Sequence, residues 1–411
     1  MSPSSISEGI RGEAPLAPHR ALILGLQHTF TMFGATVLVP ILTGMDISVA
    51  LFMAGVGTLL FHLLTKGKVP AFLGSSFAFI IPIQVVAASE GLAYAQGGIV
   101  IAGLVYLVIA VLIYFFGTER IMAFFPPIVT GPIIMVIGLK LAPVAITNAS
   151  EDWLLAFIVF AIVTALSIYA KGFLKVVPVI VGLITTYVIA ILLKRVDFSA
   201  VEAAKVIAIP SFQMAKFSLQ STMTIAPLAM VTMIEHIGDV VAIGATVNKD
   251  FAKDPGLFRT LLGDGLATSL SAMFGGPANT TYSENTGVLA LTGVSNPIIM
   301  RIAACMAILL GLFPKVGAVI FSIPLGIIGG VSILLFGMIS AVGIRTVVEN
   351  KIDFTQPRNL IIAAVILVLG LGGASLPIQL GDINLSLEGM ALAAIAGILL
   401  NLILKEEKKV Q

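Results

Sequence analysis

The chain has 411 residues, 58% hydrophobic and only 11% charged, with 23 Lys plus Arg against 21 Asp plus Glu for a net charge of +2. Soluble domains carry about 25% charge, so this composition excludes an ordinary soluble protein and points to a polytopic membrane protein embedded in a lipid bilayer. The small net charge argues against a nucleic-acid partner, and the single cysteine, Cys305, excludes an internal disulfide.

Residues 1–20 form a polar tail with no small-residue cleavage site after a short apolar core, so the first span is expected to serve as an uncleaved anchor. Apolar stretches able to cross a ~30 Å hydrocarbon core follow at 21–43, 47–65, 71–88, 97–117, 120–142, 152–170 and 175–193. A second set runs over 217–247, 256–274, 279–292, 297–313, 317–341, 358–373 and 387–404, and residues 405–411 form a tail. The expected architecture is therefore all-α, with fourteen transmembrane segments and no sizeable soluble domain.

Charge asymmetry supports that alternation. With the N-terminus cytoplasmic, 17 of the 23 Lys and Arg fall on the cytoplasmic side, from Arg11 and Arg20 to Lys405, Lys408 and Lys409. The six outside are Lys140, Lys194, Arg195, Lys205, Lys216 and Lys315, four of them on or beside one longer connection. The positive-inside rule thus places both termini in the cytoplasm.

The two halves, 21–193 and 217–404, echo each other. Ser75-Ser76-Phe77 resembles Thr280-Thr281-Tyr282, and Phe125–Gly131 with Gly138 resembles Ile323–Gly330 with Gly337. Seven spans per half insert the second half upside down, giving an inverted repeat whose site lies where two broken segments meet near the midplane.

Those broken segments are 71–88 and 279–292. Each starts with aromatic, β-branched or hydroxyl residues, suggesting a short extended piece that continues as a partial helix. Extended backbone at membrane depth survives only when buried in protein or lining a cavity. The first can equally be a kinked packing segment. The second carries Glu284, and a carboxylate inside the membrane costs roughly 2.5–3.5 kcal/mol on the insertion scale, which marks a substrate or proton path.

A second polar cluster, Glu235-His236-Ile237-Gly238-Asp239, lies in span 217–247. Glu235 and Asp239 are four apart and share a helix face, while His236 points elsewhere. Two carboxylates this close cannot easily both stay ionised, which suits proton coupling; a structural tether is the alternative. His28, beside Gln27, reads either as a structural hydrogen-bonder or as a group facing the Glu235 cluster, and His62 reads as interfacial. No zinc spacing and no nucleotide-binding P-loop is present, so no metal and no cofactor is expected.

Several stretches together resemble one family. They are Gln27–Pro40, Lys68–Ile80, Glu235–Asp239 and Asn279–Gly293, the last containing Glu284-Asn285-Thr286-Gly287 followed by Thr292. From about residue 20 to 404 the chain resembles the nucleobase/ascorbate transporter (nucleobase–cation symporter-2) family, and within it the branch that carries uracil. The resemblance implies two inverted seven-span repeats with segments 3 and 10 part strand and part helix. It also implies a core module (spans 1–4 and 8–11), a gate module (5–7 and 12–14), proton symport of a nucleobase in the cell membrane, and a homodimer. Carried over by position, Glu235 and Glu284 accept hydrogen bonds from ring N–H groups, and the backbone N–H groups of Phe77 and Ser283 serve ring carbonyls. Tyr282 lines the pocket, and Glu235, Asp239 and His28 carry the proton coupling.

Two positions depart from the family's uracil pattern. Asp239 stands where that pattern has His, and Ser283 where it has Gly. A purine such as xanthine is the alternative substrate. An anion transporter of related architecture fits poorly with several carboxylates at the site, and no nucleophile–base pair suggests an enzyme.

Overall fold

The computed structural model describes residues 16–380 and 383–404. Arg11, Lys405, Lys408 and Lys409, with most of the two tails, lie outside the described residues. Helices dominate because lipid offers no water to the backbone, and an α-helix satisfies its hydrogen bonds within one segment.

The first half contains α1 (Pro18–Thr43), α2 (Ile47–Leu64), strand β1 (Leu73–Ser75), α3 (Ile80–Ser89) and α4 (Leu92–Phe116). It continues with the short α5 (Thr118–Met122), then α6 (Pro127–Ser150), α7 (Trp153–Tyr169) and α8 (Pro178–Leu192). After α9 (Ser199–Ala203) come α10 (Leu219–Ile225), α11 (Ala229–Val247), α12 (Leu257–Met273), strand β2 (Asn279–Thr281) and α13 (Ser283–Thr292). The chain closes with α14 (Ile298–Gly311), α15 (Pro314–Phe321), α16 (Leu325–Glu349), α17 (Pro357–Leu371), a hairpin of β3 (Ser375–Leu380) and β4 (Ile383–Glu388), and α18 (Gly389–Ile403).

Among the described residues, six helical stretches are long and apolar enough to cross a membrane: α1, α2, α4, α6, α16 and the run Leu219–Val247. A seventh would join α14 and α15, which bend by 82° at their junction. Shorter apolar helices of 10–17 residues lie between and after them.

Several boundaries differ from the sequence reading, most of them at prolines. The span expected at 120–142 splits at Pro126, and α6 then runs through Pro132 and Pro143 to Ser150, across the expected outer loop at 143–151. Proline inside a membrane helix is tolerated when neighbouring groups satisfy the freed carbonyl. The span expected at 317–341 also breaks, because Pro324 takes an extended conformation and becomes the N-cap of α16. In span 217–247, Pro227 sits in a 3₁₀ turn (Ala226–Leu228) between α10 and α11. The expected loop at 374–386 instead contains most of the β3–β4 hairpin.

The helices pack in two groups. In one, α4 and α2 both pack on α12, and α14 packs on α2 and α1; in the other, α16 packs on α6 and α7, and α17 on α6 and α18. β1 and β2 belong to the first group, held by α1, α2, α11 and α12.

Contacts between the halves are reciprocal. β1 pairs antiparallel with β2, Leu73 with Thr281 and Ser75 with Asn279, so the first residue of each strand meets the last of the other. In the α6–α16 pair, a Cβ on Gly131 would press on Val347, and one on Gly329 would press on Ala149. Gly131 and Gly329 are each the fifth residue of their helix, and Ala149 and Val347 each the twenty-third. These reciprocal contacts align Ser75 with Thr281 and Gly131 with Gly329, one residue off the alignment read from the sequence.

Glycine is required at position 74 by close approach. A Cβ there would overlap the Tyr282 ring, whose hydroxyl donates to the Ser75 carbonyl at 3.0 Å. Overpacking of this kind costs about 1–3 kcal/mol. Gly74→Ala is expected to lower the thermal midpoint of the detergent-solubilised protein, read by size-exclusion recovery after heating; an unchanged midpoint would show that the ring yields freely.

Candidate functional site

The strand pair organises the site. Ser76 N–H donates to the Ala278 carbonyl at 2.9 Å and Tyr282 N–H to the Phe72 carbonyl at 3.1 Å, extending the ladder at either end. Beyond it, Phe77 opens a 3₁₀ turn leading into α3, and Ser283 opens α13. Antiparallel pairing thus puts one helix start at each end of the strand pair. The first N–H groups of a helix have no intrahelical acceptor and carry the positive end of its dipole, so each start can receive a carbonyl or anionic oxygen.

Acidic groups gather around these starts. Glu284 lies in the first turn of α13 with its side chain exposed. Glu235 on α11 is half-buried and lies within electrostatic reach of Asp239, Glu284 and Asp264. Asp239 is buried and accepts a hydrogen bond from Thr281 Oγ1 at 2.9 Å. The sequence placed Glu235 and Asp239 on one face of a helix; the fold brings Glu284 to them from a segment some fifty residues away.

His236, roughly 100° round the helix from Glu235, turns toward α12. Its Nδ1 lies 3.2 Å from Asp264 Oδ2, with both side chains fully buried. Asp264 was missed by the sequence reading. Its signal was available, since an acid between Gly263 and Gly265 in an apolar span is a functional candidate by default.

Other candidates fall into place around the strands. His28 on α1 is buried, and its Nδ1 meets Asn285 Nδ2 at 3.2 Å, one residue beyond Glu284. Its polar contact is therefore with α13. Tyr282 is buried against Phe72, ring centroids 6.4 Å apart, with its hydroxyl committed to Ser75. His62, in the last turn of α2, is buried in the protein with Nε2 2.9 Å from the Ala71 carbonyl, because the chain leading into β1 folds back over the end of α2.

Phe77 is half-buried and meets Phe336 of α16 edge-on, ring centroids 6.0 Å apart. This contact joins the two packing groups. Phe336 also lines an apolar recess with Gly138, Leu139, Ala142, Ile333 and Ser340. Chemically, the site offers carboxylate acceptors, open backbone donors and an aromatic wall. That set suits a flat, neutral ligand with alternating N–H and carbonyl groups, and it suits a small anion poorly.

Comparison with known proteins follows the same line. Residues 19–379 match the permease family Xan_ur_permease. The chain is 45% identical to the uracil permease of Bacillus subtilis (strain 168), covering 100% of this chain and 98% of that protein. It is 39% identical to the uracil permease of Escherichia coli (strain K12), covering 97% and 94%.

Among solved structures, it is similar to the transmembrane domain of the cyanobacterial bicarbonate transporter BicA, with a TM-score of 0.61 at 18% identity over 96% of this chain and 99% of that one. It is also similar to SLC26A9, with a TM-score of 0.68 at 8% identity, covering 93% of this chain and 64% of that one. At such identities these two likenesses concern the fold alone. The chain belongs to the nucleobase/ascorbate transporter family of permeases, and is thus a membrane transporter and not an enzyme.

Proposed function

We propose that this protein imports uracil together with protons across the cell membrane. The observation that carries the reading is the gathering of Glu235 and Glu284 beside two open helix starts, at Phe77 and Ser283. Uracil presents two N–H donors and two carbonyl acceptors. Glu235 and Glu284 accept from its ring N–H groups, the backbone N–H groups of Phe77 and Ser283 donate to its carbonyls, and Tyr282 shapes the pocket floor. The relatives' name, uracil permease, supports the same substrate.

Asp239 and Glu235 carry the proton in this reading, and His28, tied to Asn285, supports the turn that holds Glu284. The α1–α4 and α10–α14 group is the core, and α6–α8 with α16–α18 is the gate that moves against it. The reciprocal β1–β2 and α6–α16 contacts support two inverted seven-span repeats, fourteen segments in all, with both termini cytoplasmic. A homodimer follows from the family resemblance.

The fold likeness to a bicarbonate transporter favours an anion as the second reading, and the acidic site counts against it. Uptake of labelled uracil into proteoliposomes, with and without an inward proton gradient, tests the proposal. Gradient-stimulated accumulation is expected. Indifference to the gradient would sink symport, and competition by xanthine stronger than by unlabelled uracil would sink the specificity.

A further inference from the structure

On the α11 and α12 side of β2 lies a polar chain that meets the proposed function only at Asp239. His236 Nδ1 stands 3.2 Å from Asp264 Oδ2 and 3.4 Å from Thr281 Oγ1. Thr281 in turn donates to Asp239 Oδ2 at 2.9 Å. Among the described residues, His236 Nε2 and both Asp264 oxygens are buried without a hydrogen-bond partner. A buried carboxylate that receives no donor is costly unless a cation faces it, so an Asp264 carboxylate favours taking up a proton on His236.

One ring nitrogen holds one proton, and that proton points at one oxygen at a time. A neutral His236 imidazole with its proton on Nε2 leaves Nδ1 free to accept from the Thr281 hydroxyl; once protonated, Nδ1 can donate to Asp264 Oδ2 or to Thr281 Oγ1. The other titratable groups facing the pair are Glu235 and Asp239 on α11 and Tyr106 on α4. Tyr106 donates to Thr232 Oγ1 at 2.7 Å. Phe61 covers the imidazole edge-on, with centroids 6.1 Å apart. Thr281 is the hydroxyl that links the pair to Asp239.

We infer that His236 and Asp264 form a proton-holding station, loaded from Asp239 through the Thr281 hydroxyl. The inference rests on the proton-symport reading above. Loading begins when the Thr281 hydroxyl turns from Asp239 toward His236. The protonated Asp239 then gives its proton to Thr281 Oγ1 as the Thr281 proton passes to Nδ1. One O–H bond breaks on each residue, a new Thr281 O–H and an N–H on Nδ1 form, and no redox change occurs. The imidazolium is balanced by the Asp264 carboxylate, and the reverse step empties the station. A proton held there, between two side chains with no exposure, stays bound while the substrate cleft is open to water.

Thr281→Val removes the hydroxyl at nearly constant shape, and Thr281→Ser retains it. In proteoliposomes carrying an internal pH dye, Thr281→Val is expected to keep gradient-free uracil counterflow within about twofold of the wild type. Protons moved per uracil should fall by about fivefold or more, within the usual range of coupling between sites. Thr281→Ser should preserve both. An unchanged proton count in Thr281→Val overturns the relay. Loss of counterflow along with proton movement overturns it too, since Thr281 would then only hold the strand. A wild-type protein that moves uracil without protons defeats the symport reading itself, a result separate from any behaviour of the variants.

Discussion

Glu284→Gln is expected to weaken uracil binding by roughly ten- to a hundredfold, because a hydrogen bond to a charged group contributes about 1.5–3 kcal/mol and each 1.4 kcal/mol is tenfold in affinity. Glutamine keeps the size of the side chain and one oxygen acceptor but loses the charge. Glu284 is exposed in the first turn of α13, so the substitution leaves no buried group orphaned. Its structural cost is limited to the helix-dipole contribution, about 0.3–1 kcal/mol. Calorimetric titration in detergent checks the affinity. Wild-type protein should also reject a uracil methylated at the ring nitrogen that faces Glu284, and the variant should reject it less. Near-normal affinity in Glu284→Gln, with discrimination intact, would remove Glu284 from the site.

Asp239→Asn is expected to separate binding from coupling. Asn still offers an oxygen to the Thr281 hydroxyl, whose bond to Asp239 is 2.9 Å, so the local framework survives. What disappears is the ability to gain and lose a proton. Coupling between sites is typically worth roughly 5–150-fold. Gradient-driven accumulation should therefore fall by at least the lower end of that range, while uracil affinity changes by a few-fold at most. Parallel measurement of equilibrium binding and concentrative uptake decides the matter. Equal loss of both would make Asp239 a structural tether, the alternative its position on α11 already allowed.

Much of the candidate site could be picked out from residue type and spacing. Glu284 stood out as a carboxylate in an apolar stretch, and Glu235 with Asp239 as an acidic pair on one helix face. The strand-then-helix character of 71–88 and 279–292 followed from their β-branched and hydroxyl residues, and the structure has it at Leu73–Ser75 and Asn279–Thr281. Asp264 was passed over, although its isolation in span 256–274 was visible. The burial of His62 was not visible from its place near a helix end, because it comes from the chain after that end folding back over it. Span ends were displaced wherever proline interrupted the pattern, since Pro126 and Pro324 start helices while Pro132 and Pro143 are carried within one.

The sequence by itself determined the membrane class, the helical character and the identity of the acidic residues. These depend on composition and on neighbours a few positions apart, where helix and strand periodicity make physical sense of the chain. Only the tertiary structure decided which groups meet. The β1–β2 register, the approach of Tyr282 over Gly74, the His28–Asn285 contact and the His236–Asp264 pair all join residues far apart in the chain. Such contacts are set by packing and by the need to satisfy buried polar groups in three dimensions, and local pattern carries no record of either.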